Sequence, residues 1–264
     1  INFPTLQPEQ TLGKVIEYFQ TKDVEAIGIG MFGPIDVNVS SQTYGYVTST
    51  PKPGWSNTDV LGILRHAFNI PFGWDTDVNA AALGESKWGA AKGLDSCVYI
   101  TVGTGIGFGI IVENTLVHGL THPEGGHVFT RRHPEDAYPG YCVFHKDCLE
   151  GMASGPAIEK RWGTKCNELQ EDHPAWRLES FYLAQAILNA ILLLSPKKII
   201  LGGGVMNQRQ LFPLIHCEVE KHLNQYIKAE LLLKRMEDCI VLPGLGDISG
   251  LYGALALGLD ARNA

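Results

Sequence analysis

The 264-residue sequence predicts an α/β fold. Short β-branched runs, AIGIGMF at 26–32, KKIIL at 197–201 and IVLP at 240–243, alternate with segments of helical periodicity, the pattern of strands covered by helices. CVYITVGTGIGFGIIV at 97–112 is a pair of β-branched runs around glycines, a hairpin that opens a second strand system and sets a domain boundary near residue 95. Hydrophobic residues make up 45% and charged residues 19%, enough apolar material for a sizeable core and against disorder.

Taken in order, PEQTLGKVIEYFQT at 8–21 reads as a helix, with Leu12, Val15, Ile16 and Phe19 at helical spacing and Pro8 in the first turn. Residues 26–32 form a buried strand stopped by Gly33-Pro34. The Ser-, Thr-, Pro- and Gly-rich stretch 42–56, ending in TPKPGW, reads as a rigid exposed loop. A helix over 57–69, a short strand over 70–74 and an Ala-rich helix over 78–91 follow. Beyond the hairpin, 114–150 is irregular and rich in His, Pro and Gly, so something other than an apolar core must order it. Helical patterns occupy 151–194, a strand covers 197–201, a helix starts near 207 after three glycines, a last strand lies at 240–243, and ISGLYGALALGL at 248–259 closes the chain as a small-residue helix.

A formal net charge of -7, with no basic cluster longer than Lys197-Lys198 or Arg131-Arg132, argues against a nucleic-acid surface. No uninterrupted apolar run reaches the ~18–20 residues of a membrane span; 183–194, interrupted by Gln185 and Asn189, reads as a buried helix. INFPTLQPEQ has neither the basic nor the apolar region of a signal peptide, and six cysteines without framework spacing lead us to expect a cytoplasmic protein with reduced thiols.

Several clusters carry chemistry. GTGIGFG at 103–109 leads into another strand and is followed by no GKS or GKT, so neither a Rossmann nor a Walker loop fits. The turn can still cradle a phosphate on its N–H groups, helped by Thr101 and Thr104; a plain glycine hairpin is the alternative. LGGGV at 201–205 joins a strand to a helix, where glycines admit a ligand to the backbone, or make only a tight turn. DTDVNAAALGE at 75–85 puts Asp75 and Asp77 at a helix start, where a carboxylate serves as an N-cap or accepts a proton from a substrate hydroxyl. HPEGGH places Glu124 and His127 around two glycines, as a ligand site or a surface turn.

CVFHKDC holds Cys142, His145 and Cys148, three ligands of the four that a structural zinc site takes. His118, His122, His127 and His133 lie upstream as candidates for the fourth. A Cys142–Cys148 disulfide or chance proximity are the alternatives.

In chain order, DVNAAALGE, TVGTGIGFG, PEGGH, the Cys/His cluster ending in CLEG, and ILGGGV resemble the ROK family of bacterial sugar kinases, from residue 26 onward. That resemblance implies the actin/Hsp70/hexokinase-like (ribonuclease H-like) fold, two domains over 1–95 and 96–247 with a cleft between them, and residues 248–264 packing back on the first. Where the family usually has CxCGxxGC after its GH, this chain has Cys142, His145 and Cys148 after Gly126-His127. It has TDVN at 76–79 for the NDxN of glucokinases, and with SQTYGYVTSTPKPGW at 41–55 it is similar to the family's fructokinases.

The resemblance implies Asp77 as catalytic base, and Gly54, Trp55, Asn79, Glu124, His127 and Glu150 on the sugar. It implies Gly103, Thr104 and Gly105 on the ATP phosphates, Gly202, Gly203 and Gly204 on the adenosine side, and zinc on His127, Cys142, His145 and Cys148. ATP and Mg²⁺ as cosubstrate, a structural zinc and a homodimer come with it. The expected reaction is phosphorylation of a hexose 6-hydroxyl, D-fructose before glucose or mannose; a sugar-responsive transcriptional regulator is the alternative. The family's first phosphate loop, of the type DxGGTK, is not in these residues, and NFP at 2–4 resembles the end of the strand after it. The chain is therefore expected to begin some tens of residues late and, by itself, to be a weak kinase or none.

Overall fold

A computed structural model describes residues 1–264. The first lobe contains α1 (Pro8–Gln20), β1 (Ile27–Met31), β2 (Tyr46–Val47), β3 (Thr58–Asp59), α2 (Val60–Ala67), β4 (Phe72–Thr76) and α3 (Asp77–Trp88). β1 and β4 pair in parallel, Ile27 opposite Phe72 through Met31 opposite Thr76. The helix expected over 57–69 begins only at Val60, because Thr58 and Asp59 pair with Val47 and Tyr46 and the Asp59 carboxylate caps the helix, accepting from Gly62 N at 2.7 Å.

The loop ending in TPKPGW departs from expectation. Trp55 is 1% exposed, lies edge-on to Phe32 with ring centroids 5.2 Å apart, and donates from Nε1 to Leu6 O at 2.8 Å. It belongs to the first lobe's core with Leu12, Val47, Leu61 and Trp74. A large aromatic with a satisfied N–H gains more by burial than the surrounding Pro and Gly lose by ordering.

The second lobe is built on β5 (Cys97–Val102), β6 (Ile106–Val112), β7 (Thr115–Leu116), β8 (Ile199–Gly202) and β9 (Ile240–Val241), in the order β7-β6-β5-β8-β9. β5, β8 and β9 run parallel, whereas β6 and β7 are antiparallel additions. α4 (Leu149–Ala153), α5 (Gly155–Trp162), α6 (Ala175–Leu194), α7 (Leu211–Leu223), α8 (Glu230–Lys234) and α9 (Met236–Cys239) complete it. A 30-residue buried cluster joins this sheet to α6 and α7. α6 is longer than the apolar stretch at 183–194 suggests; at 20 residues it has the length and hydropathy of a membrane span, yet half of that window is buried inside this fold. A 3₁₀ turn at Gly204–Asn207 delays the helix expected near 207 to Leu211.

α10 (Ser249–Asn263) lies against α3, β1 and β4 of the first lobe. The approach is backbone to backbone: a Cβ on Gly253 would run into Ala80 O, and one on Gly28 into Ala254 O.

The segment 117–148 is irregular and ordered by polar ties. His118 Nε2 lies 2.8 Å from Asp75 Oδ2, and His122 Nε2 accepts from Ile35 N at 3.0 Å, so two of its histidines reach the first lobe. Further along, Asp136 is held by Arg161 Nη2 at 3.1 Å and by the Tyr182 hydroxyl at 2.7 Å, both contacts buried.

Candidate functional site

α3 follows β4 directly, so the sheet delivers Asp75, Thr76 and Asp77 to one corner. Thr76 is the cap, its hydroxyl accepting from Asn79 N at 3.1 Å, and neither aspartate has that job. Asp75 is buried and consumed: Oδ1 accepts from Thr76 N and Asn79 Nδ2, each at 2.7 Å, and Oδ2 faces His118. Asp77 is left in the first turn, with Oδ1 accepting from Val78 N at 2.8 Å and its carboxylate facing a cleft of about 890 Å³ between the lobes.

Water reaches Asp77, but the cleft walls displace most of its hydration, and this burial raises its pKa. The Val78 N–H and the positive charge of Lys52 pull it partly back. Glu124 and Glu150 share the cleft. Burial first, then the negative charges of Glu150 and Asp77, push Glu124 up to about 7. A carboxyl poised in this way is what acid–base chemistry near neutrality needs.

The β5–β6 turn lines the same cleft. Gly103 N donates to Gly105 O at 2.9 Å, with Thr104 exposed at the tip. Glu150 Oε2 accepts from Ile106 N at 3.0 Å, and a Cβ on Gly105 would stand 2.7 Å from that oxygen. Glu150 thus shapes the glycine turn as well as the cleft. Beside it, Gly203 has φ +90 and lies against Val102, a left-handed conformation under contact that only glycine takes without strain. Gly202, Gly203 and Gly204 line a second cavity of about 310 Å³ with Asp247 and Ser249. Thr101 borders both cavities, so the two glycine loops form adjoining compartments of one groove.

Three expected sugar-side positions do not reach the cleft. Trp55 is in the core, and Gly54 packs against Gln7. Asn79 is fully buried, its amide spent on Asp75 and on Ile110 N at 3.4 Å, because it lies on the inward face of α3. From the same loop as Trp55 it is Lys52 that enters, its Nζ 4.1 Å from the Phe32 ring centroid. Lys52 had no motif to mark it; a lone cation beside a Pro-rich turn was the only available signal.

His127, Cys142, His145 and Cys148 converge, their ligand atoms all within 4.8 Å of one another. Cys148 Sγ is 3.5 Å and Cys142 Sγ 3.7 Å from His127 Nδ1, and Cys142 Sγ is 3.8 Å from His145 Nδ1. A tetrahedron with zinc bond lengths has N···S edges of about 3.5 Å, so the donor set fits such an ion. Both cysteines are free. The other histidines are engaged: His118 with Asp75, His122 with Ile35, and His133 with Glu135 N and the Phe181 ring. The group borders the cleft, which His127 and His145 also line.

The chain is similar to known proteins over nearly its whole length. Residues 2–261 match the ROK family. A relative from Bacillus subtilis (strain 168) is 53% identical over 264 residues, spanning all of this chain and 88% of its own length. The fructokinase of Pediococcus pentosaceus is 48% identical over 265 residues, covering all of this chain and 91% of that protein. The crystal structure of the ROK hexokinase from Thermus thermophilus superposes with a TM-score of 0.81 at 25% identity, over all of this chain and 91% of that one. The fold is the actin/hexokinase-like one, and the chain belongs to the ROK family.

Proposed function

We propose that the protein phosphorylates a hexose at its 6-hydroxyl with ATP, and that the hexose is D-fructose. One observation carries the reading: Asp77 and the Gly103–Gly105 turn line the same cleft, with the second glycine loop adjoining. The fructokinase name of a 48% identical relative supports the choice of sugar.

In this reading the sugar lies between Asp77 and Glu124, with His127 and Glu150 at its edge. Asp77 accepts the 6-hydroxyl proton as the sugar oxygen bonds to the terminal phosphorus, and ADP leaves with the electrons of the broken P–O bond. The N–H groups of the Gly103–Gly105 turn and the Thr104 hydroxyl hold the phosphate being transferred. Gly202–Gly204 let the rest of the nucleotide approach the backbone. Mg²⁺ enters with the nucleotide phosphates, whose charge it neutralises. Water exclusion follows when the lobes, divided as the sequence suggests at about residue 95 with α10 returning to the first, close on the sugar.

The four-ligand group is proposed as a closed structural zinc site on His127, Cys142, His145 and Cys148. When bound, zinc supplies a cross-link, and these residues then hold the segment between Glu124 and Glu150 against the sugar. A homodimer in the cytoplasm, where ATP coexists with six unpaired cysteines, completes the proposal.

The test is a coupled ADP-release assay on the intact protein with ATP, Mg²⁺ and fructose, mannose or glucose. Fructose should give the largest kcat/KM. Preference for glucose would replace the sugar, and sugar binding without ADP formation would favour the regulator.

A further inference from the structure

Glu85 is wholly buried at the far end of the helix that starts at Asp77. Their separation of eight positions spans about 12 Å along α3. Its carboxylate accepts four hydrogen bonds. Oε2 takes Ala90 N at 2.6 Å and Gly244 N at 2.9 Å. Oε1 takes Leu245 N at 2.9 Å and the Ser249 hydroxyl at 2.7 Å.

Two of these partners, Gly244 and Leu245, belong to the loop that follows β9, and a third, Ser249, begins α10. Ser249, with Gly246 and Asp247 of the same segment, lines the cavity that also contains Gly202–Gly204. All four partners are donors, so only a carboxylate satisfies them; an amide would turn an N–H group toward an N–H group. The surrounding packing leaves α3 little room to slide. A Cβ on Gly84 would meet Ser249 O at 2.6 Å, and one on Gly244 would meet Ala90 N at 2.6 Å. The wall of one cavity is thus clasped to the helix whose first turn presents Asp77 to the other.

We propose that Glu85 is a positioning residue that couples the two compartments: seating of a nucleotide against 244–249 is transmitted through the clasp to the orientation of Asp77 and so to the acceptor sugar. The inference rests on the kinase reading. It differs from a purely structural role because it requires affinity for one ligand to depend on the other, reciprocally.

The experiment measures fructose affinity of the intact protein by titration calorimetry, without and with a saturating non-hydrolysable ATP analogue and Mg²⁺. Wild type should bind fructose about fivefold or more tightly when nucleotide is present. Glu85→Gln should bring that ratio towards one while leaving fructose affinity without nucleotide within about twofold of wild type, because Glu85 touches no sugar-side residue. Ser249→Ala, which removes one donor and keeps three, should give an intermediate ratio, and it decides the matter should Glu85→Gln not fold. A wild-type ratio of one, or a full ratio in either folded variant, overturns the inference. If wild type turns over fructose but shows no coupling, only this inference fails; if no hexose is phosphorylated, both readings fall.

Discussion

Replacing Asp77 by Asn separates chemistry from architecture at this site. Asn is nearly isosteric, and its Oδ1 can still accept the 2.8 Å hydrogen bond from Val78 N that orients the side chain. The cap at Thr76 and the buried Asp75–Asn79 pair are untouched, so the helix start should not move. What disappears is the ability to take a proton. Loss of a positioned general base costs about 10²–10⁴ in rate, equivalent to about 2.7–5.4 kcal/mol of barrier. kcat for fructose should therefore fall by that factor while the fructose KM changes little. A pH series adds a second readout. The base works only when ionised, and burial raises the Asp77 pKa, so activity should be lost on acidification at a higher pH than an ordinary aspartate would give. Because Lys52 lowers the Asp77 pKa, Lys52→Met should move this acid limb upward, and Asp77→Asn should remove it. A coupled assay over a range of pH reads all three. A variant retaining kcat within about tenfold of wild type, with the acid limb unchanged, would refute Asp77 as the base.

Trp55→Ala should cost about 3–5 kcal/mol in urea unfolding, since it empties a core site and removes the hydrogen bond to Leu6 O; a change under about 1 kcal/mol would contradict its burial. Elemental analysis should find close to one zinc per chain, and chelation or Cys142→Ser should raise the fructose KM more than it lowers kcat; a metal-free protein with unchanged sugar affinity would sink the staple. Gly105→Ala should push the Glu150 carboxylate off Ile106 N and weaken both fructose and ATP binding; kinetics identical to wild type would show that this contact is idle.

The α/β class and the hairpin at 97–112 were legible because local patterns decide them: β-branched runs, glycines at a turn and the missing Walker residues all lie within a few positions of one another. Cys142, His145 and Cys148 were legible for the same reason, whereas their fourth partner was only one histidine among four. What tells His127 apart is that the others are engaged by Asp75, Ile35, Glu135 and Phe181, contacts between distant parts of the chain. Trp55 was misread because its Pro- and Gly-rich neighbours signal a surface turn, and nothing local announces that Leu6 and Phe32 come to meet it. Asn79 sits in a motif shared with a family, but its inward helical face only becomes visible once Asp75 and Ile110 are placed around it. Glu85 looks like an ordinary helix glutamate; three of its four donors lie about 160 positions away.

The packing of α10 on β1, β4 and α3 has a consequence for synthesis. The helix that completes the first lobe emerges from the ribosome only after the entire second lobe has been made. Domains that form from contiguous chain can fold in the order they appear. Here the first sheet must wait, its glycine-lined surface uncovered, while β5 to β9 assemble. Contacts of such long sequence separation are slow to form. During translation the second lobe should become protease-resistant before the first, and β1 and β4 should be the stretch most in need of a chaperone.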